Sequence, residues 1–328
     1  MTVLAKASHS VSHMKNKIPW GTLKKVASVL FFLLVAYLLV SKARELEWNK
    51  IWSTFRETDP ATLWLATVIG MACYLAYASY DLIGRKLFNV EIPAYKTVLA
   101  AWISYACNLN LGAIIGSVAL RYRLYSRLGV KPSTVTKIMG VSVFSNWAGY
   151  VMLAGGLFVT GAYEPPESWA VGDIGFRLLG GVFLALVATY VGVCAFANQR
   201  TYRLRDREFT LPELKIVAWQ LTTAAVHWTL MATVIYQFFQ GDLDFTTVYI
   251  ALLVSCVAGA VSHVPGGLGV LEAVFVALLA GELPRHEILA GVFAYRCVFY
   301  FVPLAFTLPL YGIFETVLAK KSDASTAD

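Results

Sequence analysis

The 328-residue chain is 58% hydrophobic and 14% charged, with a net charge of +7 and a mean hydropathy of +0.63. Soluble domains are about a quarter charged, so this composition excludes an ordinary water-soluble globule and indicates a polytopic helical membrane protein. The basic excess flanks apolar runs, which points to membrane orientation and anionic lipid rather than to nucleic acid.

Eight apolar segments follow in chain order, at 23–41, 61–83, 97–119, 138–160, 177–197, 216–239, 246–282 and 287–317. The first is read as a retained helix, because Ser41-Lys42-Ala43 is a poor signal-peptide cleavage site and further spans follow. Lys6, Lys15, Lys17, Lys24 and Lys25 place the tail 1–22 in the cytoplasm by the positive-inside rule. The connections 120–137 and 198–215 carry five cations each, whereas "YEPPESWAVGDIG" (163–175) and "GDLD" (241–244) carry acids and no Lys or Arg.

Counting every segment as a full crossing puts the basic connection 120–137 outside and the acidic loop inside. Making 97–119 re-entrant, with its break near "NLNLGAIIG" (108–116), returns both to their expected sides. Segment 246–282 is the expected counterpart. It is interrupted by Pro265-Gly266-Gly267, which together remove a backbone donor and the Cβ restraint.

A shift of 151–152 residues aligns the two halves. It brings Thr58 and Pro60 onto Thr210 and Pro212, Gly116 onto Gly267, Arg121 onto Glu272, and Pro132 onto Pro284. With the loop charges, this predicts inverted repeats: repeat 1 over 23–160 and repeat 2 over 161–318, followed by a cytoplasmic tail at 319–328. The expected fold is all-α and polytopic, with six full spans plus two broken or re-entrant segments. Such repeats are a recurring build of membrane transporters.

Four ionisable residues are embedded in apolar sequence: Asp81, Arg121, Glu272 and Arg296. A charge at a helix centre costs about 2.5–3.5 kcal/mol on insertion scales, so it faces a partner or a cavity. Arg121 and Glu272 each lie five residues past a glycine break, at Gly116 and Gly267; Gly112 marks the first break as well. One reading has Arg121 engage a lipid phosphate and Glu272 an amine, with Asp81 and Arg296 tuning them. The competing reading pairs Asp81 with Arg121 and Glu272 with Arg296 as structural salt bridges. Asn108, Asn146 and His263 are candidate cavity-lining residues, and Asn110 is a candidate for satisfying broken backbone. No HExxH, GxSxG or P-loop pattern occurs, and the five cysteines lie singly. The chain is therefore expected to be no enzyme and to hold neither metal nor cofactor.

The stretches "HVPGGLGVLEAVFVALLAGE" (263–282) and "ALRYRLYSRLGV" (119–130) resemble the lysylphosphatidylglycerol synthase transmembrane region family, and the resemblance covers most of 20–318. It implies a bacterial inner-membrane protein, similar to stand-alone members, with lipid-site roles at Asp81, Arg121 and Glu272. In two-domain relatives the membrane region is thought to translocate aminoacylated phospholipid, while a cytosolic domain supplies the transferase. The chain ends at Asp328, soon after its last span, so that domain is not expected here. The resulting expectation is a phospholipid flippase with both termini cytoplasmic and a lipid-synthesis enzyme as its candidate partner. The rivals are an ion-coupled small-solute carrier and a non-transporting scaffold for lipid enzymes.

Overall fold

The computed structural model describes residues 48–161, 172–197, 201–204, 207–239, 241–262 and 264–325. The first apolar run, 23–41, and His263 lie outside these residues. The described chain is helical apart from one short antiparallel hairpin in the basic connection 198–215, which the sequence reading did not anticipate. It pairs β1 (Thr201–Leu204) with β2 (Arg207–Thr210).

The helices are α1 (Trp48–Glu57), α2 (Pro60–Leu87), α3 (Ala94–Leu111), α4 (Leu120–Arg127), α5 (Pro132–Thr160) and α6 (Asp173–Phe196). Then come α7 (Leu214–Tyr236), α8 (Phe245–Ser262), α9 (Val270–Leu279), α10 (Arg285–Arg296) and α11 (Val302–Ser325). Five stretches among the described residues are long and apolar enough to cross a membrane: 60–87, 132–160, 173–196, 245–262 and 285–314. The expected segments 97–119 and 216–239 appear as α3 with its return and as α7, and neither is among these five. The lower apolarity of α7 has a visible cause: it carries the buried polar residues Gln220, Thr223 and His227.

Helix starts follow their local sequence. At α2, Asp59 accepts the Ala61 amide at 3.2 Å and Pro60 occupies the first turn, where its missing N–H costs nothing. At α8, the Asp244 carboxylate accepts the amides of Thr246 (2.8 Å) and Thr247 (3.2 Å) and the Thr247 hydroxyl. Burial pushes this carboxyl up, but the bonds from Thr247 and Thr246 outweigh it and hold the pKa below the usual carboxylate value. Because the pKa is lowered on folding, the cap's contribution is present above the ordinary carboxylate pKa. It is lost as pH falls through the lowered value. Asp244→Ala is expected to cost about 1 kcal/mol at neutral pH, measured by thermal unfolding in detergent, and less in acid.

The bundle is drawn together by small residues. A Cβ on Gly149 of α5 would lie 2.0 Å from the Ala224 Cβ of α7, and one on Gly84 of α2 would lie 3.1 Å from Ile138 of α5. Gly180 of α6 rests on the Gly155 carbonyl of α5. Close backbone approach replaces the hydrophobic effect, which does not drive association within lipid. Against α10, the amphipathic α1 buries Ile51 and packs Trp52 and Phe55 on Phe293. Trp48 and Trp52 stay about half exposed, as interfacial anchors do.

Candidate functional site

Three departures from α-helical backbone lie close together, all against the helix α3. The first follows α3, where Gly112 takes φ +84° and turns the chain back on itself through a π-helical stretch, Ala113–Ala119. Gly116 then lies against the backbone of Cys107 and Asn108, so close that a Cβ would sit 2.1–2.2 Å from backbone atoms. Only glycine fits. The second is Pro265–Gly267, a single 3₁₀ turn, with Gly266, Gly267 and Gly269 all at positive φ. The third is a π-helical turn, Cys297–Phe301, between α10 and α11.

The first two breaks touch. A Cβ on Gly266 would lie 2.8 Å from the Leu109 carbonyl oxygen. Asn110 ties the first break to the third by donating to Tyr300 O at 3.2 Å and to Ala106 O at 2.8 Å. Tyr74 donates to Phe299 O at 3.0 Å. In hydrocarbon each freed carbonyl must find a donor, and here those of Phe299 and Tyr300 do so within the protein.

Arg296 performs that service at the second break. Its Nη1 donates to Gly266 O (3.0 Å) and its Nη2 to Gly267 O (2.8 Å). The guanidinium is also paired with Glu272, Nε to Oε1 at 2.5 Å and Nη2 to Oε2 at 3.1 Å. It lies 5.0 Å from the Tyr300 ring centroid. The Arg296 side chain is 6% exposed and the Glu272 side chain 25%. The broken helix and the intramembrane acid thus belong to one arrangement. The break frees carbonyls, a cation satisfies them, and the acid neutralises the cation.

The first-half pair is more enclosed. Arg121 donates from Nε to Asp81 Oδ2 and from Nη2 to Asp81 Oδ1, both at 3.1 Å. Tyr125 OH (2.8 Å) and Ser142 Oγ also donate to this carboxylate, so four donors converge on its two oxygens. Arg121 further reaches Ser117 Oγ (2.6 Å) and Tyr77 OH (3.3 Å). Asp81 is 0% and Arg121 1% exposed. Four of the five guanidinium N–H groups are accounted for, and little capacity remains for another ligand in this conformation. Arg121 and Glu272 therefore sit in separate pairs, each beside its own break.

Several of these partners escaped the sequence reading although their spacing is legible. Ser117, Arg121 and Tyr125 recur every four residues, as do Tyr77 and Asp81, and Arg296 and Tyr300; each set shares a helix face. Ser142 carries no such signal, because it arrives from α5 by packing. Asn108 is half-buried beside Gly116, and Asn146 accepts the Trp228 Nε1 proton through its backbone carbonyl at 3.1 Å. The buried His227 ring lies 3.3 Å from Cys73 Sγ and packs against Tyr77, Tyr80 and Tyr105.

Residues 25–306 match the family model described as the lysylphosphatidylglycerol synthase TM region. The chain belongs to this family. Its relatives include the inner membrane protein YbhN of Escherichia coli, 37% identical over 307 residues, which span 93% of this chain and 96% of YbhN. Protein slr0712 of Synechocystis is 25% identical over 90% of this chain and 94% of its own length. The phosphatidylglycerol lysyltransferase of Bacillus subtilis is 24% identical over 86% of this chain, but only 33% of the lysyltransferase is covered. Family membership and the five apolar spans together make this a multi-pass membrane protein.

Proposed function

We propose that the chain is a bacterial inner-membrane translocase that moves a phospholipid between leaflets, with both termini cytoplasmic. The observation that carries this reading is the meeting of the two glycine breaks, Gly266 against the Leu109 carbonyl, with an ion pair beside each. Broken helices that abut near mid-bilayer, lined by charge, are how transporters build a substrate site. The inverted repeats 23–160 and 161–318 supply the matching halves, and 97–119 and 246–282 enter from opposite faces. The inner-membrane location is supported by the name and near-complete coverage of YbhN. A phospholipid substrate is supported by the matched third of proteins named phosphatidylglycerol lysyltransferase. No catalytic role is assigned to this region.

Within the site, Glu272 and Arg296 meet the headgroup, because Glu272 is the part-exposed member of the four charges. Asp81 and Arg121 hold the return of the first break against α2 and α5. Glu272→Gln is expected to reduce translocation of headgroup-labelled lipid in reconstituted vesicles about tenfold or more, since a charged hydrogen bond contributes about 1.5–3 kcal/mol. Elution as a single symmetric peak is expected to persist, because the amide oxygen still accepts from Arg296 and the Gly266 and Gly267 carbonyls remain its partners. A scaffold would show no translocation in the wild type and no effect of the substitution.

A further inference from the structure

The second break presents four oxygens to one cation. Glu272 Oε1 and Oε2, Gly266 O and Gly267 O all accept from the Arg296 guanidinium within 3.1 Å. Unwound carbonyls plus one carboxylate form the kind of donor set that transporters use for monovalent cations. Here the cation is tethered to the protein, and its carboxylate partner is a quarter exposed.

We infer that this cage is a headgroup site for a zwitterionic phospholipid bearing one phosphate and one primary ammonium, and that Arg296 occupies it until the lipid exchanges partners with the ion pair. The inference rests on the translocase reading. Charge pairing supplies the reason for the class. Removing one partner from a buried pair leaves a costly unpaired charge. An anionic headgroup alone pairs Arg296 but strands Glu272, and a free cation alone pairs Glu272 but strands Arg296. A phosphate with a primary ammonium satisfies both at once: the phosphate takes the guanidinium fork, and the ammonium takes Glu272 with the Gly266 and Gly267 carbonyls. A quaternary ammonium carries the same charge but has no N–H to give those carbonyls. The Tyr300 ring beside the guanidinium offers it a resting surface as it turns toward the phosphate. The first-half pair is unsuited to such exchange, because Tyr125, Ser142, Ser117 and Tyr77 fix it on all sides.

The test is the unfolding midpoint of the full-length protein in detergent, titrated with short-chain lipids. Phosphatidylethanolamine is expected to raise the midpoint with an apparent affinity at least about tenfold above that of phosphatidylglycerol or phosphatidylcholine, the scale of one charged hydrogen bond lost. Ethanolamine and sodium chloride, each alone, are expected to do nothing. The double variant Glu272→Gln/Arg296→Gln, which removes both charges together, is expected to abolish the phosphatidylethanolamine shift. Equal shifts by phosphatidylglycerol, a full shift by ethanolamine or sodium alone, or a shift retained in a folded double variant would each overturn the inference. The wild-type lipid panel decides the matter even if the variant does not fold. Vesicle translocation separates the two ideas. A headgroup shift without lipid movement keeps the site and removes the translocase, whereas movement without headgroup preference keeps the translocase and removes this site.

Discussion

Asp81→Ala is expected to lower the unfolding free energy by about 3–5 kcal/mol, because Arg121 would remain charged and buried without its carboxylate. The site offers no escape to water, since both side chains are essentially inaccessible. Two further donors, Tyr125 OH and Ser142 Oγ, would lose their acceptor in the same step. Loss of monodisperse protein on size-exclusion chromatography and a lower thermal midpoint are the readouts. The double variant Asp81→Asn/Arg121→Gln is expected to recover a large part of the loss, since removing both charges strands neither. If Asp81→Ala and the double variant were equally destabilised, the carboxylate would be serving Tyr125 and Ser142 more than Arg121.

Gly116→Ala is expected to be as damaging for a different reason. Its Cβ would sit 2.1 Å from Asn108 N and 2.2 Å from the Cys107 carbonyl carbon, both backbone atoms that no rotamer change can move. Overpacking a core costs about 1–3 kcal/mol when side chains can give way, and here they cannot, so the upper end or more is expected. The return after Gly112 would separate from α3, shifting Ser117 and Arg121 away from Asp81. Expression and thermal midpoint should both fall, while Gly140→Ala, where nothing lies within 4 Å of the new Cβ, should behave as wild type. Similar behaviour of the two variants would mean that the first break is not held in this close contact. Gly266→Ala combines a positive φ with a 2.8 Å approach to Leu109 O and should resemble Gly116→Ala.

The amino-acid sequence by itself determined the membrane class and the sites of two breaks, at Gly112–Gly116 and Pro265–Gly267, but not the π-helical turn at Cys297–Phe301. These are local matters. Hydrocarbon thickness selects runs of about 20 apolar residues, and Pro-Gly-Gly interrupts a helix whatever surrounds it. The four embedded charges stood out for the same reason, since each is costly in its own segment. Membership of the family was legible as well, carried by residues 119–130 and 263–282 and matched over 25–306. The hairpin at 201–210 was not legible, because a short polar loop has no apolar face to declare its strands.

Partner choice among the charges was left to the tertiary structure. Sequence spacing allowed Arg121 and Glu272 to face one another or each to stay in its own half, and packing of α2 and α5 on α4 placed Asp81 against Arg121. Packing of α10 on α9 brought it back to the Pro265–Gly267 turn, so that a guanidinium 29 and 30 residues away meets the Gly267 and Gly266 carbonyls. Electrostatic energy in a low-dielectric interior depends steeply on distances of a few ångströms, and those distances are set by helices remote in sequence. The cost of each charge is written along the chain, but the group that relieves it appears only when the bundle closes.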